Sequence, residues 1–254
     1  MENTSAVTTV QAADPNTEQT LSYSISGGAD AFRFDINPTS GALSFKTAPD
    51  FENPTDAGPN NVYNVTVEAS DGNGGTDTQA IAVTVQNAPG LTVNGGNGPD
   101  TLAGAGEEDV LRGRNGNDTL RGLAGNDRLE GENGDDSLTG GLGKDLLIGG
   151  AGNDRFVFAA LADSPPVGFD VIQDFRHGAD RIDLAAIDAN AAQGGNQAFT
   201  FAGQNAAAVA NSVTWSQSGG NTFVWVDVDG NTTADLAIQL TGTGLGLTAA
   251  DFLL

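Results

Sequence analysis

The chain has 254 residues, 33 of them acidic against 10 basic, and a formal net charge of −23. That negative excess excludes nucleic-acid backbones and anionic membrane surfaces as partners and makes cations the expected ones. There is no cysteine to form a disulfide, no apolar run long enough to span a bilayer, and a single histidine.

The amino terminus, Met1-Glu2-Asn3-Thr4, has neither a basic nor an apolar stretch, so no secretory signal peptide is expected. Residues 1–88 predict an antiparallel β-sandwich. β-Branched residues alternate in Tyr63-Asn64-Val65-Thr66-Val67-Glu68 and in Ala80-Ile81-Ala82-Val83-Thr84-Val85, and turn residues stand at Gly27-Gly28, Asn37-Pro38 and Asp71-Gly72-Asn73-Gly74-Gly75. With Phe34-Asp35-Ile36-Asn37-Pro38 and Pro49-Asp50-Phe51-Glu52, this region resembles a cadherin-like domain. The resemblance implies calcium ligands at two poles: Asp50 and Glu52 with Glu2 at one, and Asp14, Asn16 and Asp71 at the other. The family's Asp- and Asn-rich linker is here Gln86-Asn87-Ala88-Pro89, so solvated loop carboxylates remain an equal reading of these six residues.

Residues 95–157 are seven nonapeptides in phase, Gly-x-x-Gly-x-Asp-x-Leu-x. The first position is glycine from Gly95 to Gly149 without exception. The sixth is Asp100, Asp109, Asp118, Asp127, Asp136, Asp145 and Asp154, and the eighth runs from Leu102 to Leu147 and ends in Phe156. The fourth is glycine except at Glu107, which puts the loop of the second repeat in question. Glycines at positions one and four predict left-handed turns with carbonyls facing outward, and Asp-x-Leu predicts a very short strand. Two nonapeptides then make one turn of a parallel β-roll, with leucines stacked inside and aspartates eighteen residues apart stacked at the edges. Asp100, Asp118, Asp136 and Asp154 form one stack, and Asp109, Asp127 and Asp145 the other. Turns lie ~4.8 Å apart, where two carboxylates repel by about 3–4 kcal/mol at an effective dielectric of 20. A hard dication bound by carboxylates and loop carbonyls removes that repulsion, and calcium suits it better than magnesium. The pattern is identified as the RTX calcium-binding nonapeptide. Asp163, nine residues after Asp154, and Asp170 are expected to extend the stacks, Asp170 as partner of Asp154; a surface-loop role stands open for both.

Residues 158–254 contain Phe169-Asp170-Val171-Ile172-Gln173-Asp174-Phe175, Gly178-Ala179-Asp180-Arg181-Ile182-Asp183-Leu184 and the ending Asp251-Phe252-Leu253-Leu254. This region resembles the carboxyl-terminal domain of the serralysins. The resemblance implies an uncleaved signal for type I secretion machinery and an extracellular address, where calcium is abundant. Removal of the last four residues is expected to leave the roll intact. Serralysins also carry a zinc protease site, His-Glu-x-x-His, which the lone His177 cannot supply. Asp227-Val228-Asp229-Gly230, with Asp235, reads either as a calcium loop or as a hairpin turn, and the turn is preferred.

The expected protein is therefore all-β, calcium-binding, secreted and not an enzyme. Its cadherin-like domain is expected to adhere to a cell surface, an extracellular polysaccharide or another copy of itself. The competing expectation is the export and folding half of an enzyme (a protease, lipase or polysaccharide-modifying enzyme) whose catalytic domain lies outside this chain.

Overall fold

The structure, a computed structural model, describes residues 2–14, 20–51, 54–190 and 192–254. It divides into two compact units, Met1–Ala88 and Pro89–Leu254. Strands dominate both. Among the described residues there is no α-helix, and three single 3₁₀ turns lie at Ala31–Arg33, Leu161–Asp163 and Ala249–Asp251.

The first unit holds β1 (Ala6–Thr9), β2 (Ser22–Gly27), β3 (Phe34–Ile36), β4 (Ala42–Phe45), β5 (Val62–Ser70) and β6 (Thr76–Thr84). They form two antiparallel sheets, ordered β1-β4-β3 and β2-β5-β6. Alternation on β5 turns Tyr63, Val65 and Val67 inward, where they meet Phe34, Leu43 and Phe45 in one core. Phe45 stacks on Phe34 at 4.5 Å and takes the edge of Tyr63 at 5.1 Å. The sandwich expected from the alternation is present.

The second unit begins with β7 (Thr92–Asn94) and β8 (Thr101–Ala103), then five strands of six residues: β9 (Val110–Asn115), β10 (Thr119–Ala124), β11 (Arg128–Asn133), β12 (Ser137–Leu142) and β13 (Leu146–Ala151). β14 (Arg155–Val157), β15 (Asp170–Ile172) and β16 (Arg181–Asp183) follow. Last come β17 (Thr200–Gln204), β18 (Ser212–Ser218), β19 (Asn221–Val226), β20 (Leu236–Thr241) and β21 (Phe252–Leu253). Odd and even strands of the repeat region go to opposite sheets. One sheet runs β8-β10-β12-β14-β16-β21, the other β7-β9-β11-β13-β15-β20-β19-β18-β17. Repeat strands pair in parallel with partners eighteen residues away, Leu120 with both Leu102 and Leu138, and Leu129 with both Leu111 and Leu147. This is the β-roll.

Three expectations need correction. The strands are not confined to Asp-x-Leu: in β10 they run from the seventh position through the glycine of the next repeat to its third residue. The glycines at position one are extended, and the positive φ falls at positions two and four instead, for example Leu123 at 84° and Gly125 at 112°. Position one is glycine for lack of room. A Cβ on Gly122 would lie 2.1 Å from Asp127 Oδ2 and 2.5 Å from the carbonyl oxygen of Gly140. The chain's end is also part of the roll, because β21 pairs with β16 and Phe252 is a buried rung beyond Ile182. Deleting residues 251–254 therefore removes structure.

Leu111, Leu120, Leu129, Leu138 and Leu147 are fully buried in a column that continues through Phe156, Ile172 and Ile182 into the core of the carboxyl-terminal strands. Repeats and carboxyl-terminal region share one core.

Leu129→Ala should cost about 2–5 kcal/mol, and Gly122→Ala about 1–3 kcal/mol from overpacking. Gly98→Ala faces open space without a positive φ and should stay within about 0.5 kcal/mol of wild type. Thermal melts in calcium give the ranking, and a Gly98→Ala loss as large as that of Gly122→Ala would contradict the steric account.

Candidate metal centre

Each repeat aspartate sits just before its strand, at the end of the tight turn, with its side chain turned back towards the glycine that opens its own repeat, as Asp127 is towards Gly122. One carboxylate oxygen ties adjacent turns together. Oδ1 of Asp118, Asp136 and Asp154 accepts the backbone N–H of Asp100, Asp118 and Asp136, at 2.8, 2.8 and 3.0 Å. On the other edge Oδ1 of Asp127 and Asp145 accepts from Asp109 and Asp127, both at 2.8 Å.

The other oxygen distinguishes the middle of the roll from its start. In Asp100, Oδ2 accepts the Gly96 N–H at 2.6 Å, and in Asp109 it accepts the Ala105 N–H. In Asp118, Asp127, Asp136, Asp145 and Asp170, Oδ2 is buried with no hydrogen-bond partner. An orphaned buried acceptor costs about 1–3 kcal/mol, so the set weighs against a typical domain stability of ~5–15 kcal/mol. Beside these oxygens stand backbone carbonyls: the point where Gly131 would carry a Cβ is 2.3 Å from Asp136 Oδ2 and 2.6 Å from the Gly149 carbonyl oxygen. Converging carboxylate and carbonyl oxygens, without nitrogen or sulfur, form a donor set that fits calcium.

Past the last repeat the ladders continue, with partners other than those expected. Asp170 accepts from Asp145 N–H at 2.8 Å and so extends the Asp109 edge; it is not the partner of Asp154. That place belongs to Asp180, whose Oδ1 accepts the Asp154 N–H at 3.1 Å. The steps are 25 and 26 residues instead of eighteen, because loops intervene before β15 and β16. Asp180-Arg181-Ile182 repeats the Asp-x-apolar spacing, a signal that could have found it. Asp163 forms no rung: its Oδ2 accepts the N–H groups of Ala159 and Ala160 and closes its own turn. Its charge still raises the pKa values of Asp145 and Asp170.

In the sandwich, Glu2 is buried, accepting the Phe51 N–H through Oε2 and the Ala88 N–H through Oε1, which brings it beside Asp50. Asp14 and Asp71 line one groove with Asp77, and Asp71 also accepts from Asn73 and Gly75. Glu52 and Asn16 lie outside the described residues. Among the described residues, the single trio with carboxylate oxygens within 4.8 Å of one another is Asp227, Asp229 and Asp235. Asp227 is spent on the N–H groups of Asn211, Gly230 and Thr232, and Asp235 on Val228. They staple the β19–β20 turn.

The profile of the family described as Peptidase M10 serralysin C terminal matches residues 16–254. The chain belongs to the serralysin C-terminal family. No curated protein matches it. Two solved structures from the Azotobacter vinelandii mannuronan C5-epimerase are similar. The AlgE6R2 subunit is 26% identical with a TM-score of 0.43, covering 61% of this chain and 92% of its own. The AlgE6R3 subunit is 29% identical with a TM-score of 0.33, covering 63% and 80%. As a serralysin-type region, the roll belongs to the calcium-binding repeats of secreted proteins.

Burial is the main reason that five carboxyls of the ladders, Asp127, Asp136, Asp145, Asp154 and Asp170, titrate high. It pushes Asp127 up to about 7, Asp136, Asp145 and Asp154 to about 6, and Asp170 to about 9, with neighbouring carboxylates adding to it. Unfolded, these groups ionise near 3.8. Above that value the folded state holds protons that the unfolded state has released. This stabilisation is complete in acid and lost as pH rises through about 6 to 9. In chelator, far-UV circular dichroism should therefore report more β-structure at pH 5 than at pH 8. With calcium the dependence reverses, because protons compete for the ligands. A chelated roll that gains structure with rising pH would contradict this account.

Proposed function

We propose that the chain is a non-catalytic calcium-dependent folding module, exported by a type I system, whose sandwich serves adhesion. The observation that carries the calcium reading is the row of buried Oδ2 atoms in Asp118, Asp127, Asp136, Asp145 and Asp170, which no protein donor satisfies. Calcium supplies the positive charge that the ladder lacks. The Oδ1 atoms fix the distance between turns and leave each Oδ2 oriented and dry, while the position-one glycines hold carbonyls close to it. Metal affinity then appears as folding free energy. Low cytosolic calcium leaves the aspartates repelling one another and the roll open, as a narrow export channel requires, and external calcium folds it.

The adhesion reading rests on the cadherin-like features of residues 1–88: two antiparallel three-stranded sheets, with Glu2 beside Asp50 and Asp14 beside Asp71. Occupants of chemistry suited to that role are an extracellular polysaccharide, a cell surface or a second copy of the chain. A second reading, the export and folding region of a secreted enzyme with its catalytic domain elsewhere, is favoured by the family match to the carboxyl-terminal part of a peptidase.

Chelator should abolish the β-roll signal in circular dichroism at pH 8 and leave the sandwich signal; a roll fully formed in chelator would refute calcium-dependent folding. By calorimetry, Asp127→Ala, in mid-stack with an orphaned oxygen, should lose two calcium ions. Asp100→Ala, whose Oδ2 already has the Gly96 N–H, should lose at most one. Equal losses would argue against a shared ladder.

Binding of the whole chain to cells and polysaccharides should exceed that of a chain beginning at Pro89, and equal binding removes adhesion from the sandwich. In a host with a type I transporter, protein in the medium supports export, and retention in the cells overturns it.

A further inference from the structure

The two carboxylate ladders end differently. On the edge of Asp109, Asp127 and Asp145, the last rung is Asp170, and the Oδ2 atoms of both Asp145 and Asp170 are buried without a partner. On the edge of Asp100, Asp118 and Asp136, the last step joins Asp154 to Asp180, and a guanidinium has entered it. Arg176 Nη2 lies 3.4 Å from Asp154 Oδ2 and 3.1 Å from Asp180 Oδ1, and it donates to the carbonyl oxygen of Gly152. Both carboxylates are buried, 0% and 1% exposed at their side chains.

The donors are of the kind found at the other steps. Gly152 is the fourth residue of its repeat and Asp154 the sixth, and Asp180 is the carboxylate of the next turn, so the cation sits between a turn carbonyl and two stacked aspartates. The backbone delivers it there. Arg176 lies four residues before Asp180 in the inserted loop, its N–H is held by Asp180 Oδ2 at 2.7 Å, and its carbonyl accepts the N–H of Asp180 at 2.9 Å. One residue back along the loop, Phe175 is anchored in the core and packs on Phe156 at 6.2 Å. Asp174 holds the N–H groups of Gly149 and Gly150 at 2.9 and 2.8 Å. The guanidinium is thus set in place by its neighbours on both sides.

We propose that Arg176 is a tethered cation that takes the place of calcium at the Asp154–Asp180 step, closing that step to metal while the Asp145–Asp170 step opposite stays open. The guanidinium brings one full positive charge to two carboxylates and a carbonyl, all through Nη2, and stays charged at any working pH. It remains present when calcium is absent. This inference rests on the calcium reading above, and it divides the roll into steps that need metal and one that carries its own charge.

The test is calcium stoichiometry of the whole chain by isothermal titration calorimetry. Arg176→Gln, which keeps hydrogen-bonding capacity without charge, should bind one more calcium per chain than wild type, and Arg176→Lys should not. Wild type and Arg176→Gln binding the same non-zero number would overturn the inference, whereas no calcium bound by wild type would overturn the calcium reading itself. Should Arg176→Gln fail to fold, wild type at saturating calcium decides by NMR. Guanidinium N–H resonances of Arg176 protected from solvent exchange support the tethered cation, and resonances exchanging as in a free arginine overturn it.

Discussion

The structure of the second unit depends on a repulsion. Carboxylates stacked at the spacing of neighbouring β-strands cost several kcal/mol per pair when charged, and nearly every other choice in the repeat serves to hold them there. From Asp109 to Asp154 one oxygen of each repeat aspartate accepts an amide of the preceding turn, so the carboxylate is the hydrogen-bonded link between layers and cannot turn away. The leucine column gives those layers a reason to stack at all, with side chains fully buried from Leu111 to Leu147. Attraction through the core and repulsion at the edges are therefore coupled in one short repeat. The balance between them is left to an outside cation or to protons.

Glycine enters this arrangement for two separate reasons. At position four the backbone turns through a positive φ, which side-chain-bearing residues resist, as at Gly116, Gly125 and Gly134. At position one the backbone is ordinary and the need is space for a carboxylate oxygen and a neighbouring carbonyl. Position two shows the converse: Arg114, Leu123 and Glu132 take positive φ without being glycine, a local cost that the stacked rungs override.

Much of this was legible in the sequence wherever strict periodicity held. The period of nine assigned the aspartates and leucines to their edges and column, and alternation in residues 63–68 and 80–85 marked the sandwich strands β5 and β6. Where the period breaks, reading by count failed. Asp163 is in phase by number, yet its chain turns into a 3₁₀ segment and its carboxylate closes that turn. Asp170 and Asp180 are out of phase by number and in the ladders by geometry, because the inserted loops change sequence distance without changing the rise between turns. The role of the last residues was hidden likewise. Asp251 accepts from Thr248, Gly178 and His177, bonds that outweigh burial and hold its carboxyl below the usual range, and no local pattern announces Gly178 and His177, more than seventy residues away.

The unequal steps of 25 and 26 residues also bear on how a repetitive chain finds one alignment. A roll of near-identical turns is degenerate under translation: slipping by one turn sets leucine against leucine and aspartate against aspartate at little loss. The loops before β15 and β16 remove that symmetry. Ser164, whose hydroxyl donates to the Ala237 carbonyl and accepts the Asp170 N–H, has no counterpart earlier in the array, nor has Asp174 under Gly149 and Gly150. The carboxyl-terminal block thus acts as a vernier stop that sets the frame, from which identical turns are counted back towards the amino terminus.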